Sequence, residues 1–283
     1  MNSITCRQAL AAAQDSGLER LDAQWLLLHA LEKPASDRSW LLAHDTDPLA
    51  QDVIEAFDAY RLRRAAGEPL AYIVGSKEFF GLALQVDARV LVPRPDTETL
   101  VEWSLDVLNT PPLPPELQVL DLGTGSGAIA LAIAHSLKAR GRTAEVTAVD
   151  ASTAALSVAR ENSRRLGLHV EFLESHWLAQ IRGRFHLIAS NPPYIASADP
   201  HLTALRHEPL QALAAGVDGL DDIRLIIAQA PARLLPGGWL LLEHGHDQAE
   251  RVRGLLARQG FAQVQSRLDL AGIERCSGGQ WTR

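Results

Sequence analysis

The chain has 283 residues, a hydrophobic content of 47% and a formal net charge of −7 at pH 7. This length fits one large domain or two modest ones, and the apolar content excludes a disordered or fibrous chain. The excess of 34 acidic over 27 basic side chains argues against a protein that holds nucleic acid by bulk charge, although a local basic patch stays open.

Residues 1–66 predict a small helical domain. Thr5 is placed to cap a first helix that runs to about Gln14, and Pro34 ends a second helix. The second helix is expected to bury one face, formed by Leu21, Trp25, Leu28 and Leu31. A third helix ends before Gly67 and carries the apolar residues Val53, Ile54, Phe57, Tyr60 and Leu62.

Charge is uneven along this helical domain. Ten acidic and four basic side chains give residues 1–60 a net charge of −6, which fits either a solvated surface or a docking face for a basic partner. Arg61, Arg63 and Arg64 then form a short basic run. A solvated helix face is the usual explanation for such a run, and contact with RNA or an acidic partner is the alternative.

Residues 67–110 predict a linker of short strands followed by a helix. The segment 71–92 alternates and contains Gly75 and Gly81, which indicates strands joined by a turn. Asp96 is expected to cap the next helix, whose buried face is predicted to comprise Leu100, Val101, Leu105 and Leu108. A proline-rich stretch at 111–115 predicts a stiff connector.

Strands and helices alternate over residues 111–283. The candidate strands are 117–121, 145–150, 169–173, 185–190, 238–243 and 261–266. Helices are expected near 127–140, 152–166, 221–235 and 246–259. Apolar strands that alternate with helices predict an α/β fold with a mainly parallel sheet covered on both faces. A last segment, 273–282, is expected to add an antiparallel seventh strand.

A glycine-rich loop joins the first of these strands to a helix. The loop comprises Gly123, Thr124, Gly125, Ser126 and Gly127. Small residues let a ligand lie against the backbone, and the helix N-terminus offers free N–H groups. Asp150 ends the next strand, where a carboxylate can accept hydrogen bonds from ribose hydroxyls. These features predict a cofactor that contains adenosine, but the loop alone leaves NAD and S-adenosyl-L-methionine open.

The segment Asn191-Pro192-Pro193-Tyr194 follows the fourth strand, at the same edge of the sheet. Asn191 and the proline carbonyls offer hydrogen-bond acceptors, and Tyr194 offers a flat aromatic face. Such a site fits a conjugated –NH2 group, whose nitrogen becomes more reactive when both of its hydrogens are bound. A nicotinamide dehydrogenase has no use for this segment, which favours methyl transfer from S-adenosyl-L-methionine. Asn191, Pro192 and Tyr194 are therefore the predicted catalytic residues.

Other motifs favour structural roles. Cys6 and Cys276 lie at opposite ends of the chain, and His244 and His246 lack the spacing of a metal site, so no metal is expected. The Gly-Gly-Gln triplet at 278–280 is interpreted as a glycine turn beside a terminal strand. The sequence has neither a signal peptide nor an apolar membrane span, so a cytoplasmic protein is expected.

Several motifs resemble those of class I S-adenosyl-L-methionine-dependent methyltransferases that act on nitrogen. They are DLGTGSGAIAL (121–131), Asp150 and SNPPYI (190–195). More narrowly, the chain resembles the PrmC/HemK family, in which the side-chain amide of the glutamine in the GGQ motif of peptide chain release factors is methylated. The narrower match covers roughly residues 65–283 and rests on GEPLAYIVGSKEFFGLALQV (67–86), VLVPRPDTETLVE (90–102), ESHW (174–177), DPHL…LRHEPLQAL (199–213) and LLLEHG (240–245).

This resemblance implies a fold, a cofactor and a site. The fold is a Rossmann-like, mainly parallel seven-stranded sheet, with a helical substrate-recognition domain (1–66), a linker (67–110) and a catalytic domain (111–283). The glycine loop and Asp150 would hold S-adenosyl-L-methionine, with Trp177 beside the adenine and S-adenosyl-L-homocysteine as the product. Asn191 would touch both the cofactor and the substrate, while Pro192, Pro193 and Tyr194 complete the glutamine site.

The same resemblance leaves some residues open, and two rival functions stand beside it, of which one is a nucleotide-binding protein without catalysis that would keep the glycine loop but would not need Asn191. Segments around Arg94 and Glu208 are expected to shape the pocket, and Glu243 is expected near it or in the core. Release factors are the expected partners, without a membrane or a stable nucleic-acid partner. A DNA adenine or cytosine amino-methyltransferase is the other alternative, since those bases also carry a conjugated –NH2, but it needs a target-recognition region that this sequence lacks.

Overall fold

The structure, a computed structural model, describes residues 4–111 and 114–283. The chain divides into two compact units, Met1–Ser76 and Lys77–Arg283. The first unit thus ends ten residues beyond the boundary that the sequence placed at residue 66. In the described part of the chain, every helix is too short or too polar to span a membrane.

The first unit is built from helices. Its first helix starts with a capping box, in which the Thr5 hydroxyl accepts from the Gln8 N–H and the Gln8 side chain accepts from the Thr5 N–H. The helices are α1 (Cys6–Asp15), α2 (Arg20–Ala30), α3 (Arg38–Ala43), α4 (Gln51–Ala65) and α5 (Leu70–Val74).

The buried face of α2 differs from the predicted one. Leu21 and Trp25 are 53% and 38% exposed, whereas the buried residues are Ala23, Leu26, Leu27 and Leu28. Helix α2 packs against α1, α3, α4 and α5, so its neighbours on several sides decide which arc is covered. A single apolar stripe therefore describes this helix poorly.

Residues 70–74 form a helix, where the sequence predicted a strand. Helix α5 begins after Pro69 and ends at Gly75, whose φ of 71° allows the left-handed turn that closes it. Ile73 is buried in the helical core. A short apolar run does not distinguish one helical turn from a strand, and this explains the error. The two predicted strands follow as β1 (Ser76–Phe79) and β2 (Leu82–Gln85).

The next helix, α6 (Glu98–Leu108), has the predicted buried face but a different cap. Asp96 lies within a short 3-10 turn, Pro95–Thr97, and Thr97 takes the cap position. Asp96 instead pairs with Arg275, at 3.3 Å between its Oδ2 and the arginine Nε. The prediction of Asp96 as the cap was therefore wrong.

The second unit is centred on a seven-stranded sheet that is parallel except at its last strand, which confirms the predicted fold class. Its strands are β3 (Leu117–Leu122), β4 (Ala144–Asp150), β5 (Glu171–Glu174), β6 (Phe185–Ser190), β7 (Leu234–Glu243), β8 (Ala262–Leu268) and β9 (Glu274–Trp281). The order is β5-β4-β3-β6-β7-β9-β8, with β9 antiparallel to both of its neighbours. The helices are α7 (Ala128–Ala139), α8 (Thr153–Leu166), α9 (Asp221–Gln229) and α10 (Ala249–Gln259).

Successive residues of the central strands feed two different cores. Val119 of β3 packs in one core with residues of α6 and α7, while Leu120 packs in the other with residues of α9 and α10. The helix after β3 therefore lies on one face of the sheet and the helix after β6 on the other. Because the connections after β3 and β6 lead to opposite faces of the sheet, a crevice opens between them at the carboxyl ends of these strands.

Candidate active site

The glycine loop turns sharply between β3 and α7. Gly123, Gly125 and Gly127 have φ values of 69°, 56° and 85°, a region that side chains with a Cβ rarely adopt. A Cβ on Gly123 would lie 3.2 Å from Cζ3 of Trp177, so the missing side chain leaves space beside the indole ring. The loop backbone is thus open to a flat ligand.

A buried carboxyl, Asp121, supports this loop from behind. Its Oδ2 accepts from the Thr124 hydroxyl at 2.6 Å and from the Ala130 N–H at 3.2 Å. Its Oδ1 is buried without a hydrogen-bond partner among the described residues. Burial raises the pKa of Asp121 to about 7, although the two hydrogen bonds favour its ionised form.

Asp150 ends β4 beside the loop. Its Oδ2 accepts from the Gly125 N–H and its Oδ1 from the Ser152 N–H, each at 2.9 Å. Burial raises the pKa of Asp150, and these backbone hydrogen bonds oppose that effect. Both oxygens have a further lone pair with which to accept from ligand hydroxyls.

Trp177 forms a fixed wall of the same crevice. Its backbone has a φ of 51°, which is unusual for a bulky residue. Its indole Nε1 donates to Asp222 Oδ1 at 2.9 Å, and its carbonyl accepts from the Ser175 hydroxyl at 2.8 Å. The contact with Asp222 holds the indole in place and joins two separate segments of the chain, whereas the contact with Ser175 fixes the local backbone.

The Asn-Pro-Pro-Tyr segment follows β6, which pairs with β3. The Ser190 hydroxyl donates to the Leu122 carbonyl at 2.7 Å and ties the ends of these two strands together. The Asn191 Nδ2 group donates to the Thr97 hydroxyl oxygen at 3.2 Å. Gln248 Nε2 donates to the Tyr194 carbonyl at 3.0 Å, which anchors the far end of the segment.

Behind this segment lies a second buried carboxyl, Glu243, at the end of β7. Burial raises its pKa to about 7, while the neighbouring Thr97 and Tyr194 side chains favour the ionised form. Glu243 Oε2 has no hydrogen-bond partner in the described part of the chain. Burial and the nearby Glu243 raise the pKa of Tyr194, so its phenol stays protonated.

One cavity of about 360 Å³ joins the glycine loop to the Asn-Pro-Pro-Tyr segment. Of the predicted site residues, those that line it are Gly123, Gly125, Asp150, Trp177, Asn191 and Pro193. Those outside its lining are Thr124, Ser126, Gly127, Pro192 and Tyr194. Thr124 and Ser126 are buried, and the partly buried Tyr194 packs against the core, so these side chains support the cavity from outside.

Glu208 and Arg94 shape the cavity indirectly. The buried Glu208 accepts from the Val92 N–H at 3.1 Å and forms an ion pair with Arg94. Pro209, the next residue, lines the cavity. The pair thus fixes the segment before α6 against the loop that follows β6.

The remaining motifs have structural partners. His244 Nε2 contacts the Ser277 hydroxyl at 2.7 Å, and no cluster of three or more metal-binding side chains occurs among residues 4–111 and 114–283. Each arginine of the run at 61–64 forms an ion pair within the helical unit, with Asp58, Glu68 and Asp22 respectively. The Gly-Gly-Gln triplet at 278–280 lies inside β9, between β7 and β8, and not in a turn.

Sequence reasoning missed several residues that organise the site. Asn162 of α8 binds the Ser126 carbonyl at 2.9 Å and both the N–H and the carbonyl of Gln85, so it links the glycine loop to β2. Thr97, Asp222 and Asp121 were missed as well. A polar residue on a mostly apolar helix face was the only available signal for Asn162, and it is a weak one.

Comparisons with known proteins agree with this geometry. Residues 5–75 match the family model of the PrmC N-terminal domain, and residues 104–216 match that of the methyltransferase small domain. The release factor glutamine methyltransferase of Bordetella pertussis is 49% identical, over 94% of this chain and 96% of its own length. The protein of the same name from Xylella fastidiosa is also 49% identical, over 96% and 97%.

A solved structure shares the fold. The T. Thermophilus 16S rRNA N2 G1207 methyltransferase, in complex with AdoMet and guanosine, has a TM-score of 0.53 and is 23% identical to this chain. The match covers 73% of this chain and 49% of that one. At this level of identity the likeness concerns the architecture alone.

Proposed function

This chain belongs to the release factor glutamine methyltransferase family, and from that premise we propose that it methylates peptide chain release factors. The methyl group passes from S-adenosyl-L-methionine to the side-chain amide nitrogen of the glutamine in their GGQ motif. One observation carries the proposal: Asn191 and Pro193 line the same cavity as Gly123 and Asp150. A site for an amide and a site for a nucleoside therefore share one space.

The residues present fit the cofactor. The absent side chain of Gly123 leaves room beside Trp177, whose indole offers a face to the adenine. The Asp150 carboxylate is held by two backbone N–H groups and suits the ribose hydroxyls. Gly125 also lines this part of the cavity, where a ligand can approach the loop backbone.

When bound, S-adenosyl-L-methionine would be held by Gly123, Asp150 and Trp177 and would supply an electrophilic methyl on its sulfonium. Transfer of that methyl to the amide nitrogen would leave the C–S electron pair on sulfur, and the proton displaced from the nitrogen would pass to solvent. The chain's own residues orient the amide. An amide nitrogen is a poor nucleophile because its lone pair is delocalised, and hydrogen-bond acceptors aimed at its two hydrogens oppose that delocalisation. Asn191 lines the cavity and supplies a side-chain acceptor. Pro192 lies outside the lining, and we propose its carbonyl as the second acceptor. Positioning of this kind is worth effective molarities of roughly 10⁵–10⁸ M.

We expect the helical unit to recognise the release factor away from the glutamine, because the cavity and its lining belong wholly to the second unit. The net charge of the helical unit is less extreme than residues 1–60 indicate. Extension of the unit to Ser76 adds three arginines and one glutamate, which brings its net charge to −4. Its recognition of a partner thus depends on specific contacts more than on bulk charge. Release factors act in the cytoplasm, where we expect the enzyme to work.

The test is mass spectrometry of purified release factors after incubation with the enzyme and S-adenosyl-L-methionine. We expect a methyl group on the GGQ glutamine. Asn191→Ala should abolish transfer and leave the Kd for S-adenosyl-L-methionine within about threefold, since it removes an acceptor and leaves the glycine loop intact. Asn109→Ala is a matched control, because Asn109 caps α6 away from the cavity, and should keep full activity.

Two outcomes contradict the proposal. Full activity of the Asn191→Ala variant would refute the role of the asparagine. Methylated DNA together with unmodified release factors would favour a DNA amino-methyltransferase.

A further inference from the structure

Asp222 brings a carboxylate to the cavity from the first turn of α9. Its Oδ1 accepts from the indole Nε1 of Trp177 at 2.9 Å. An indole N–H can only donate and a carboxylate can only accept, so the direction of this hydrogen bond is fixed. Asp222 is therefore held at the edge of the ring whose face is available to the adenine.

The bond to Trp177 leaves most of the acceptor capacity of Asp222 unused. A carboxylate has about four lone-pair sites on two chemically equivalent oxygens. The indole occupies one of these sites, and Trp177 is the one hydrogen-bond partner of the Asp222 side chain within residues 4–111 and 114–283. Because both oxygens accept, either orientation of the carboxylate offers an acceptor to the cavity.

The donors of the cofactor can be matched to the carboxylates of the cavity. S-adenosyl-L-methionine has three kinds of donor: the ribose hydroxyls, the methionine ammonium and the 6-amino group of adenine. Among the described residues that line the cavity, the carboxylates belong to Asp150 and Asp222. Asp150 is held beside Gly125 and suits the ribose hydroxyls. Asp222 lies beside the indole, where the adenine stacks, so the 6-amino group is the donor that it fits.

We propose that Asp222 is a specificity-determining residue, whose carboxylate accepts a hydrogen bond from the 6-amino group of the adenine. This inference rests on the proposed function, because it assigns a further contact of the same cofactor site. Stacking on Trp177 does not distinguish between purines, since every base has a π-face. A carboxylate does distinguish them, because it attracts an amino group and repels a carbonyl oxygen at the same position.

The first experiment measures binding by calorimetry and does not depend on turnover. The two ligands are S-adenosyl-L-homocysteine and its 6-deamino analogue, which has hydrogen in place of the 6-amino group. Wild type should bind the analogue at least about tenfold more weakly, the value of a hydrogen bond to a charged group. In Asp222→Ala, the Kd values of the two ligands should lie within about threefold of each other, because the acceptor is gone.

The comparison of two ligands separates this contact from the support that Asp222 gives to Trp177. Loss of the carboxylate also frees the indole, and a looser indole weakens both ligands to a similar degree. The ratio of the two Kd values is therefore the readout, and the affinity of either ligand alone is not. An equal ratio in wild type and Asp222→Ala would overturn the inference. So would equal binding of both ligands by wild type, a result that needs no variant.

A third ligand tests whether Asp222 binds the methionine ammonium instead. 5′-Methylthioadenosine keeps the adenine and the ribose but has no ammonium group. Asp222→Ala should weaken its binding by the same factor as that of S-adenosyl-L-homocysteine, within about threefold. Unchanged affinity for 5′-methylthioadenosine would assign Asp222 to the ammonium and overturn the inference.

The matched control is Asp221→Ala. Asp221 is the neighbouring aspartate in the first turn of α9, but it pairs with Arg224 at 2.9 Å and lies outside the lining of the cavity. This variant should bind each ligand with a Kd within about twofold of wild type, with the ratio preserved. Loss of the ratio in Asp221→Ala would show that any change in this turn has the same effect, and would overturn the inference.

These results remain distinct from a failure of the proposed function. If wild type neither binds S-adenosyl-L-homocysteine nor methylates release factors, the proposed function is wrong. If wild type methylates release factors but binds the 6-deamino analogue equally well, only the role of Asp222 fails.

Discussion

At the scale of single residues, two buried carboxyl groups stand out. Asp121 and Glu243 lie at the carboxyl ends of β3 and β7, and each has one oxygen without a hydrogen-bond partner among the described residues. Burial raises the pKa of both to about 7. Such groups cost stability whenever they are ionised, so their retention at the sheet edge fits a role in the site.

The pH dependence of stability follows from these values. A carboxyl whose pKa is raised by folding takes up its proton at a higher pH in the folded protein than in the unfolded chain. These two carboxyls should therefore lower the free energy of unfolding as the pH rises from about 4 to about 7, by about 1.4 kcal/mol for each unit of raised pKa, while the lowered pKa values of the buried histidines, such as His244, act in the opposite direction. Asp121→Asn removes one such group and should make this fall smaller. Urea unfolding at pH 5, 6, 7 and 8 measures the slope, and an identical slope in both proteins would contradict the assignment.

Residue motifs predicted the part of the site that is local in sequence. Gly123 and Asn191 directly follow strands and Asp150 ends one, so alternation and small residues were enough to place them at one edge. Asn191 forms a hydrogen bond with Thr97, which lies 94 residues away in the sequence, and Trp177 forms one with Asp222, which lies 45 residues away. Such pairs depend on how separate segments pack, which no short motif encodes, so Thr97 and Asp222 could not be found from the sequence.

At the scale of elements, strands and helices of the second unit were predicted well because their apolar patterns are long. The short helix α5 and the cap of α6 were predicted wrongly. Five residues are too few for the spacing of apolar side chains to distinguish a helix from a strand, and a single cap residue has no periodicity at all. Strand β9 illustrates a different difficulty. Its Gly278 and Gly279 indicated a turn, but they allow the strand to pack closely inside the sheet.

Gly278 therefore has a testable structural role. A Cβ there would lie 2.4 Å from Leu241 Cδ2 and 2.7 Å from the Leu240 carbonyl oxygen. Gly278→Ala should thus lower the free energy of unfolding by at least about 2 kcal/mol, because a packed core cannot absorb the methyl group without strain. Urea unfolding at fixed pH measures the change.

Gly254→Ala provides the matched control for this prediction. In α10 the new Cβ meets only the flexible end of Arg258, at 3.3 Å. This variant should gain roughly 0.5–1 kcal/mol, since alanine favours a helix over glycine. Equal stability changes in the two variants would show that packing around β9 is looser than described.

At the scale of the whole molecule, the two units have separate hydrophobic cores. The helical core lies within the first unit and ends with Ile73 and its neighbours on α5, while both cores of the sheet belong to the second. The sequence placed the boundary inside this arrangement, at residue 66. A chain that starts at residue 67 would keep α5 but lose the helices that cover it.

Deletion of residues 1–75 is therefore the better test of the helical unit, since it removes α5 and keeps β1 whole. We expect this variant to bind S-adenosyl-L-methionine with a Kd within about threefold of the full chain, because the cavity lies in the second unit. Methylation of the release factor should fall at least about tenfold, as the recognition surface is lost. Calorimetry and the methylation assay measure the two effects, and undiminished methylation would contradict recognition by the helical unit.

The divergence of the connections after β3 and β6 has a consequence for how specificity changes in evolution. The crevice exists because of strand order, so substitutions in the segment that follows the Asn-Pro-Pro-Tyr residues leave the glycine loop and the strand order unchanged. The loop from Ile195 to Gly219 can then vary to admit a different amino group, while the glycine loop and Asp150 stay as they are. New substrates are thus accessible through one segment, without any change in the order of the strands.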